Sequence, residues 1–138
     1  MHVQPYLYFD GYCEEAVDFY KSAVGAEVTF VMRFKDAPAS PAAPAHPPGS
    51  ENKIMHMSFQ IGDMTILASD GRCGGHPGFQ GFSISLTTSD VDEAERLFAA
   101  LADGGTVQAP LTETFFSPRF GMLSDRFGVC WIIMVETH

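Results

Sequence analysis

The side chains able to bind a metal, move a proton or act as a nucleophile are few: five histidines (His2, His46, His56, His76, His138) and three cysteines (Cys13, Cys73, Cys130). No two histidines stand in an HxH or HxxxH pairing, and the scattered cysteines form no CxxC or CxxH, so neither a local zinc site nor a disulfide framework is encoded. An odd set of separated thiols fits a reducing cytoplasm. His56 is the histidine to weigh. It lies in an alternating stretch in which Met55, Met57, Phe59 and Ile61 share one face and His56, Ser58 and Gln60 the other. Burial of the methionine face would turn His56 toward an open surface, where an imidazole can serve as general acid or base; a packed histidine with a local partner is the plain alternative. Glu113, beside Phe115 and Phe116, is the second candidate base or counter-charge, with a solvated strand-end carboxylate as its plain alternative.

Other catalytic templates are missing. No GxSxG elbow, phosphate-binding loop or GxGxxG follows a strand, and Gly71-Arg72-Cys73-Gly74-Gly75 precedes a strand instead of opening a helix. The parallel α/β layout and glycine loop expected of a methyltransferase are not found either. Seventeen acidic against eight basic residues give a formal charge of −9. That balance argues against nucleic acid or an anionic membrane as partner and suits a neutral or cationic small molecule. The start of the chain carries no basic-then-apolar leader, and the longest apolar run, 129–135, is too short to span a bilayer.

The elements that must position these residues come in a repeat. Glu15-Ala16-Val17-Asp18-Phe19-Tyr20 is answered by Glu93-Ala94-Glu95-Arg96-Leu97-Phe98, each inside a helical pattern that ends at glycine (Gly25; Gly104-Gly105). Ahead of each helix stands a strand-like run, residues 3–9 and 82–88, and behind each come three more, giving strand, helix, strand, strand, strand twice. In the first half Val28, Phe30, Met32 and Phe34 alternate as a half-buried strand. In the second, Asp90 and Glu93 make an aspartate-headed capping box ahead of the stripe Val91, Ala94, Leu97, Phe98 and Leu101. With 138 residues, 46% of them hydrophobic, the chain is expected to be one α+β domain burying roughly two-thirds of its unfolded surface. Its modules are 1–70, with a proline-rich loop at 35–53 that is either a lid or a tolerated insertion, and 82–138, joined by a glycine-rich connector at 71–81.

This order, with Pro5-Tyr6 near the start, Phe19-Tyr20 in the first helix, Gly25-Ala26-Glu27 after it, His56 in the third strand, Ser69-Asp70, Glu113-Thr114-Phe115-Phe116 ahead of Phe120-Gly121, and Asp125-Arg126-Phe127-Gly128-Val129-Cys130-Trp131, resembles the PhnB-like branch of the vicinal-oxygen-chelate superfamily, the glyoxalase, bleomycin-resistance and extradiol-dioxygenase group. The resemblance covers nearly all of the chain outside the proline loop. It implies two βαβββ modules whose eight strands curve around a cleft, usually in a homodimer, and it fixes no reaction. It also implies a divalent metal held by one side chain from the first and last strand of each module. Those positions fall on Gln4, Leu67, Ser83 and Ile132. Leu67 and Ile132 have no donor atom, so the usual site is not expected, and no cofactor with it. Strand alternation from Gln4 instead places Tyr6 and Tyr8 in the cleft, and with His56, Ser58 and Ser83 they form a neutral, aromatic, hydroxyl-lined surface suited to a flat or cationic organic molecule. Trp131 falls on the opposite parity and is expected in the core. Three functions follow: metal-independent small-molecule binding; an enzyme (lyase, oxygenase or transferase) using His56 or Glu113, with a weak divalent ion held through Gln4; or a dimerisation module with a vestigial cleft.

Overall fold

The computed structural model describes residues 1–36, 49–71 and 78–136. Most of the proline-rich loop, the middle of the glycine-rich connector, and His46, Cys73, His76 and His138 lie outside the described residues. The elements run β1 (Tyr6–Tyr8), α1 (Cys13–Val24), β2 (Glu27–Arg33), a 3-10 turn (Phe34–Asp36), β3 (Ile54–Ile61), β4 (Met64–Ser69), β5 (Ile84–Thr88), α2 (Val91–Ala102), β6 (Thr106–Thr112), β7 (Phe120–Ser124) and β8 (Cys130–Val135). This is βαβββ twice, an α+β fold. The strands form two four-stranded mixed sheets of the same design, ordered β1-β4-β3-β2 and β5-β8-β7-β6, each with one parallel pair. The chain divides into Met1–Pro77 and Gly78–His138.

In the first unit α1 buries Ala16, Val17, Tyr20 and Ala23 against one face of its sheet. Tyr20 stacks on Phe59 of β3, ring centroids 6.1 Å apart, and tilts against Phe9 at 6.4 Å. Leu7, Phe9, Ile54, Phe59, Ile66 and Ala68 complete this core at 0–1% exposure. Gly25 ends the helix with φ 71°, and the N–H groups of Gly25 and Ala26 bond back to the Lys21 and Tyr20 carbonyls at 3.2 Å. The helix N-terminus has no cap of its own. Asp70, just past β4, supplies it: one carboxylate oxygen accepts from Gly11 N (2.7 Å) and Cys13 N (2.8 Å), the other from Ile54 N (2.9 Å).

Two expectations for this sheet change. β1 starts only at Tyr6, because the Pro5 nitrogen has no proton to give while its carbonyl accepts from Leu67 N at 2.9 Å. The alternation of β2 is broken by a register shift between Val28 and Phe30, where Thr29 is the extra residue, and that of β3 by a shift opposite Met32 and Arg33, where Met55 is the extra residue. An extra residue in one strand moves the following side chains to the other face. Phe30 and Val31 are therefore both exposed, Phe34 leaves the strand for the 3-10 turn, and on β3 Ile54 is fully buried while Met55 is only half-buried.

The second unit buries Ala94, Leu97, Phe98 and Leu101 of α2, with Val91 half-buried, over Leu123, Trp131, Ile133 and Val135. Its capping differs from the expected box. Asp90 accepts from Asp92 N (3.2 Å), while Glu93 meets the Thr88 hydroxyl at 2.5 Å instead of reaching back to the Asp90 N–H, which Thr88 Oγ1 takes at 3.3 Å. Trp131 is 1% exposed, and its indole N–H donates to Asp125 (2.9 Å).

Candidate ligand-binding site

Each sheet has one face under its helix, so the opposite face decides what the unit can bind. On the first unit, cross-strand partners place Met32 beside His56, Phe30 beside Ser58, and Leu67 beside both Ser58 and Tyr6. Leu7 is 1% exposed on the helix side, and by alternation Tyr6 and Tyr8 point the other way; Tyr6 is 37% exposed and Tyr8 half-buried. The rings meet there. Tyr6 and Tyr8 stack at 4.9 Å with 27° between planes, His56 lies 5.6 Å from Tyr6, and Phe30 lies 5.8 Å from His56.

The polar atoms are set among these rings. Tyr6 Oη and His56 Nδ1 are 2.9 Å apart, which orients the imidazole. Ser58 is turned toward β2: its hydroxyl and that of Thr29 are 2.8 Å apart, and Thr29 also donates to the Ser58 carbonyl at 3.2 Å. Rings tilted against one another, with a few neutral donors and acceptors among them, offer faces and edges on which a planar molecule can pack and be oriented.

Of the residues picked from sequence, the structure brings together Tyr6, Tyr8, His56 and Ser58 in this unit. Gln4 is exposed ahead of β1, outside any strand. Ser83, half-buried just before β5, and Glu113, exposed just after β6, belong to the second unit. Phe30 was not among the expected site residues. Even alternation puts it with Val28 on the helix side, and only the bulge in β2 turns it to the open face.

A divalent metal at the four implied positions needs an N, O or S donor on each. Leu67 pairs with Tyr6 and Ser58, and Ile132 pairs with Ser85 and Met122, so hydrocarbon stands at both strand positions where donors are required. Among the described residues no three His, Cys, Asp or Glu side chains gather as a metal would need. The residues do not fit the superfamily's four-ligand site.

A concavity of about 290 Å3 opens at the start of α1, lined by Gly11, Glu14, Arg33, Asn52, Lys53 and Asp70 among others. Its two cations are already engaged. Arg33 forks onto Glu14 (3.2 and 2.6 Å) and donates to the Asn52 carbonyl (2.6 Å), while Lys53 donates to the Gly11 carbonyl (2.9 Å). The hydrogen bond from Arg33 holds the Glu14 carboxyl below its ordinary range, partial burial opposing it, and Arg33 is raised in turn. This pair fastens α1 to β2.

A family profile described as 3-demethylubiquinone-9 3-methyltransferase matches residues 1–134. Protein YjdN of Escherichia coli K12 is 34% identical over 98% of this chain and 95% of its own length. The crystal structure of protein PA1353 from Pseudomonas aeruginosa superposes with a TM-score of 0.85 at 40% identity, covering 100% of this chain and 99% of that one. A PhnB protein of Bacillus cereus bearing the same methyltransferase description gives 0.79 at 26% identity, covering 98% and 99%. The chain therefore belongs to the family described as 3-demethylubiquinone-9 3-methyltransferase, the PhnB-like branch of the vicinal-oxygen-chelate superfamily.

Proposed function

We propose that this protein binds a small, flat organic molecule on the ring-bearing face of its first unit, without a metal. The cluster of Tyr6, Tyr8, His56 and Phe30 on the sheet face away from α1 carries the reading. Stacked aromatics add to affinity beyond their buried area, and the hydrocarbon at Leu67 and Ile132 favours binding that uses no coordinated ion. The family description names a methyltransferase, but a methyl donor of nucleotide type calls for a glycine-rich turn under a parallel sheet. Both sheets here are mostly antiparallel. The partner is a small molecule, not nucleic acid or membrane, in keeping with a charge of −9. No described helix is long and apolar enough to cross a membrane. Cytoplasmic residence suits the free thiols of Cys13 and Cys130, and a homodimer is the assembly that the family leads us to expect.

Thermal-shift screening against planar aromatic and cationic compounds tests this. A ligand at about 100 times its dissociation constant adds about 2.7 kcal/mol to stability, a rise of several degrees in melting temperature. A broad panel in which no compound raises the melting temperature refutes it. The catalytic alternative, with His56 as acid or base, is favoured by the Tyr6–His56 hydrogen bond, which would orient such a group. Metal analysis of the purified protein separates the two. A stoichiometric divalent ion that is lost in His56→Ala would replace simple binding by the catalytic reading.

A further inference from the structure

We infer that the molecule held on this face carries an oxygen on its ring system, a hydroxyl or keto group, and that Nε2 of His56 holds that oxygen. The inference rests on the reading above that the face binds a planar compound. An imidazole has two nitrogens, and Tyr6 occupies Nδ1 at 2.9 Å. Nε2 makes no hydrogen bond to any described residue. The side chain is half-buried, wedged between the rings of Tyr6 and Phe30, where an unanswered polar atom costs free energy once a flat ligand excludes water.

The Tyr6 bond also restricts what can answer it. If the phenol donates to Nδ1, Nε2 carries the proton and needs an acceptor; if Nδ1–H donates to the phenol oxygen, Nε2 needs a donor. A hydroxyl satisfies both arrangements and a keto oxygen the first. A cationic nitrogen offers only donors and answers the second arrangement alone. The cross-strand neighbours add no charge: Met32 pairs with His56, Leu67 with Tyr6, and the Ser58 hydroxyl is engaged with Thr29. A hydroxyl, which answers either tautomer, therefore fits this spot better than the donor-only cation suggested by the net charge of −9.

The test compares 2-naphthol with 2-methylnaphthalene, which matches it in shape and lacks the hydroxyl, by equilibrium binding to the wild type, His56→Phe and Tyr8→Phe. His56→Phe keeps a ring in the cluster. Expected are binding of both probes to the wild type, a preference for 2-naphthol of roughly tenfold, its loss in His56→Phe with 2-methylnaphthalene affinity within about threefold of wild type, and its retention in Tyr8→Phe. Equal wild-type binding of the two probes, or a preference that survives His56→Phe, overturns the inference and leaves the binding face standing. A preference abolished by Tyr8→Phe and kept by His56→Phe moves the contact to Tyr8 and also overturns it. Binding of neither probe, where other flat compounds do bind, refutes the oxygen contact; binding of no flat compound at all refutes the face itself. Should His56→Phe not fold, the 15N resonances of wild-type His56 decide: 2-naphthol is expected to shift Nε2 more than Nδ1, and an unmoved Nε2 resonance counts against the contact.

Discussion

At the scale of the residue, two aspartates each serve several donors. Asp70 accepts from Gly11, Cys13 and Ile54, and Asp125 from the N–H groups of Phe127 and Val129 and from the Trp131 indole. Asp70→Ala leaves three backbone N–H groups without their acceptor in a part-buried setting, and the expected loss is about 3–5 kcal/mol in a urea melt; a loss under about 1 kcal/mol would show that water replaces the carboxylate. Cys13 lies beside this cap, fully buried. Burial pushes its thiol ionisation well above the ordinary 9.0, and the Asp70 and Glu14 carboxylates add to the shift. Because the folded value is raised, the folded state holds the proton longer than the unfolded one. Stability from this thiol is complete below pH 9.0 and declines as the pH rises beyond it. Urea midpoints of the wild type should fall between pH 9 and 10.5 more steeply than those of Cys13→Ala, and parallel slopes would contradict this.

At the scale of the element, the two copies of the repeat end their helices differently. Gly25 closes α1 itself in the left-handed conformation, whereas α2 passes through an extended Asp103 before Gly104 at φ 79°. Gly105 serves another need. A Cβ there would lie 2.1 Å from the Ser124 carbonyl oxygen and 2.9 Å from the Asp125 backbone. Gly105→Ala should therefore cost about 2–3 kcal/mol by forcing β6 away from β7, read as a lowered melting temperature; an unchanged melt would mean the strands give way at little cost. Asp90→Ala should cost about 1 kcal/mol through loss of the α2 cap, measured the same way. Element types and order were legible from the repeat, since the helical stripes and strand alternation follow from local patterning. The register shifts between β2 and β3 were not. A bulge is settled by pairing with β3, and it alone turns Phe30 toward His56.

At the scale of the whole molecule, net charge and family membership set expectations that bulk experiments can check. The homodimer we propose should appear in sedimentation at micromolar concentration; a monomer at 100 times that concentration would contradict it. Duplex DNA should show no retardation at physiological salt, since a chain with 17 acidic and 8 basic residues has few phosphate contacts to offer.

What the amino-acid sequence determined alone is the doubled βαβββ order, the apolar stripe of the second helix, the core position of Trp131, and the lack of donors at Leu67 and Ile132. All of these depend on residue type and local period. Tertiary structure decided the rest. Asp70 caps a helix whose first residue lies 57 positions away, Tyr6 reaches the ring of His56 across 50 positions, and Phe30 joins them through a register shift. Such contacts are set when strands pair and a helix covers one face, and no local pattern encodes them.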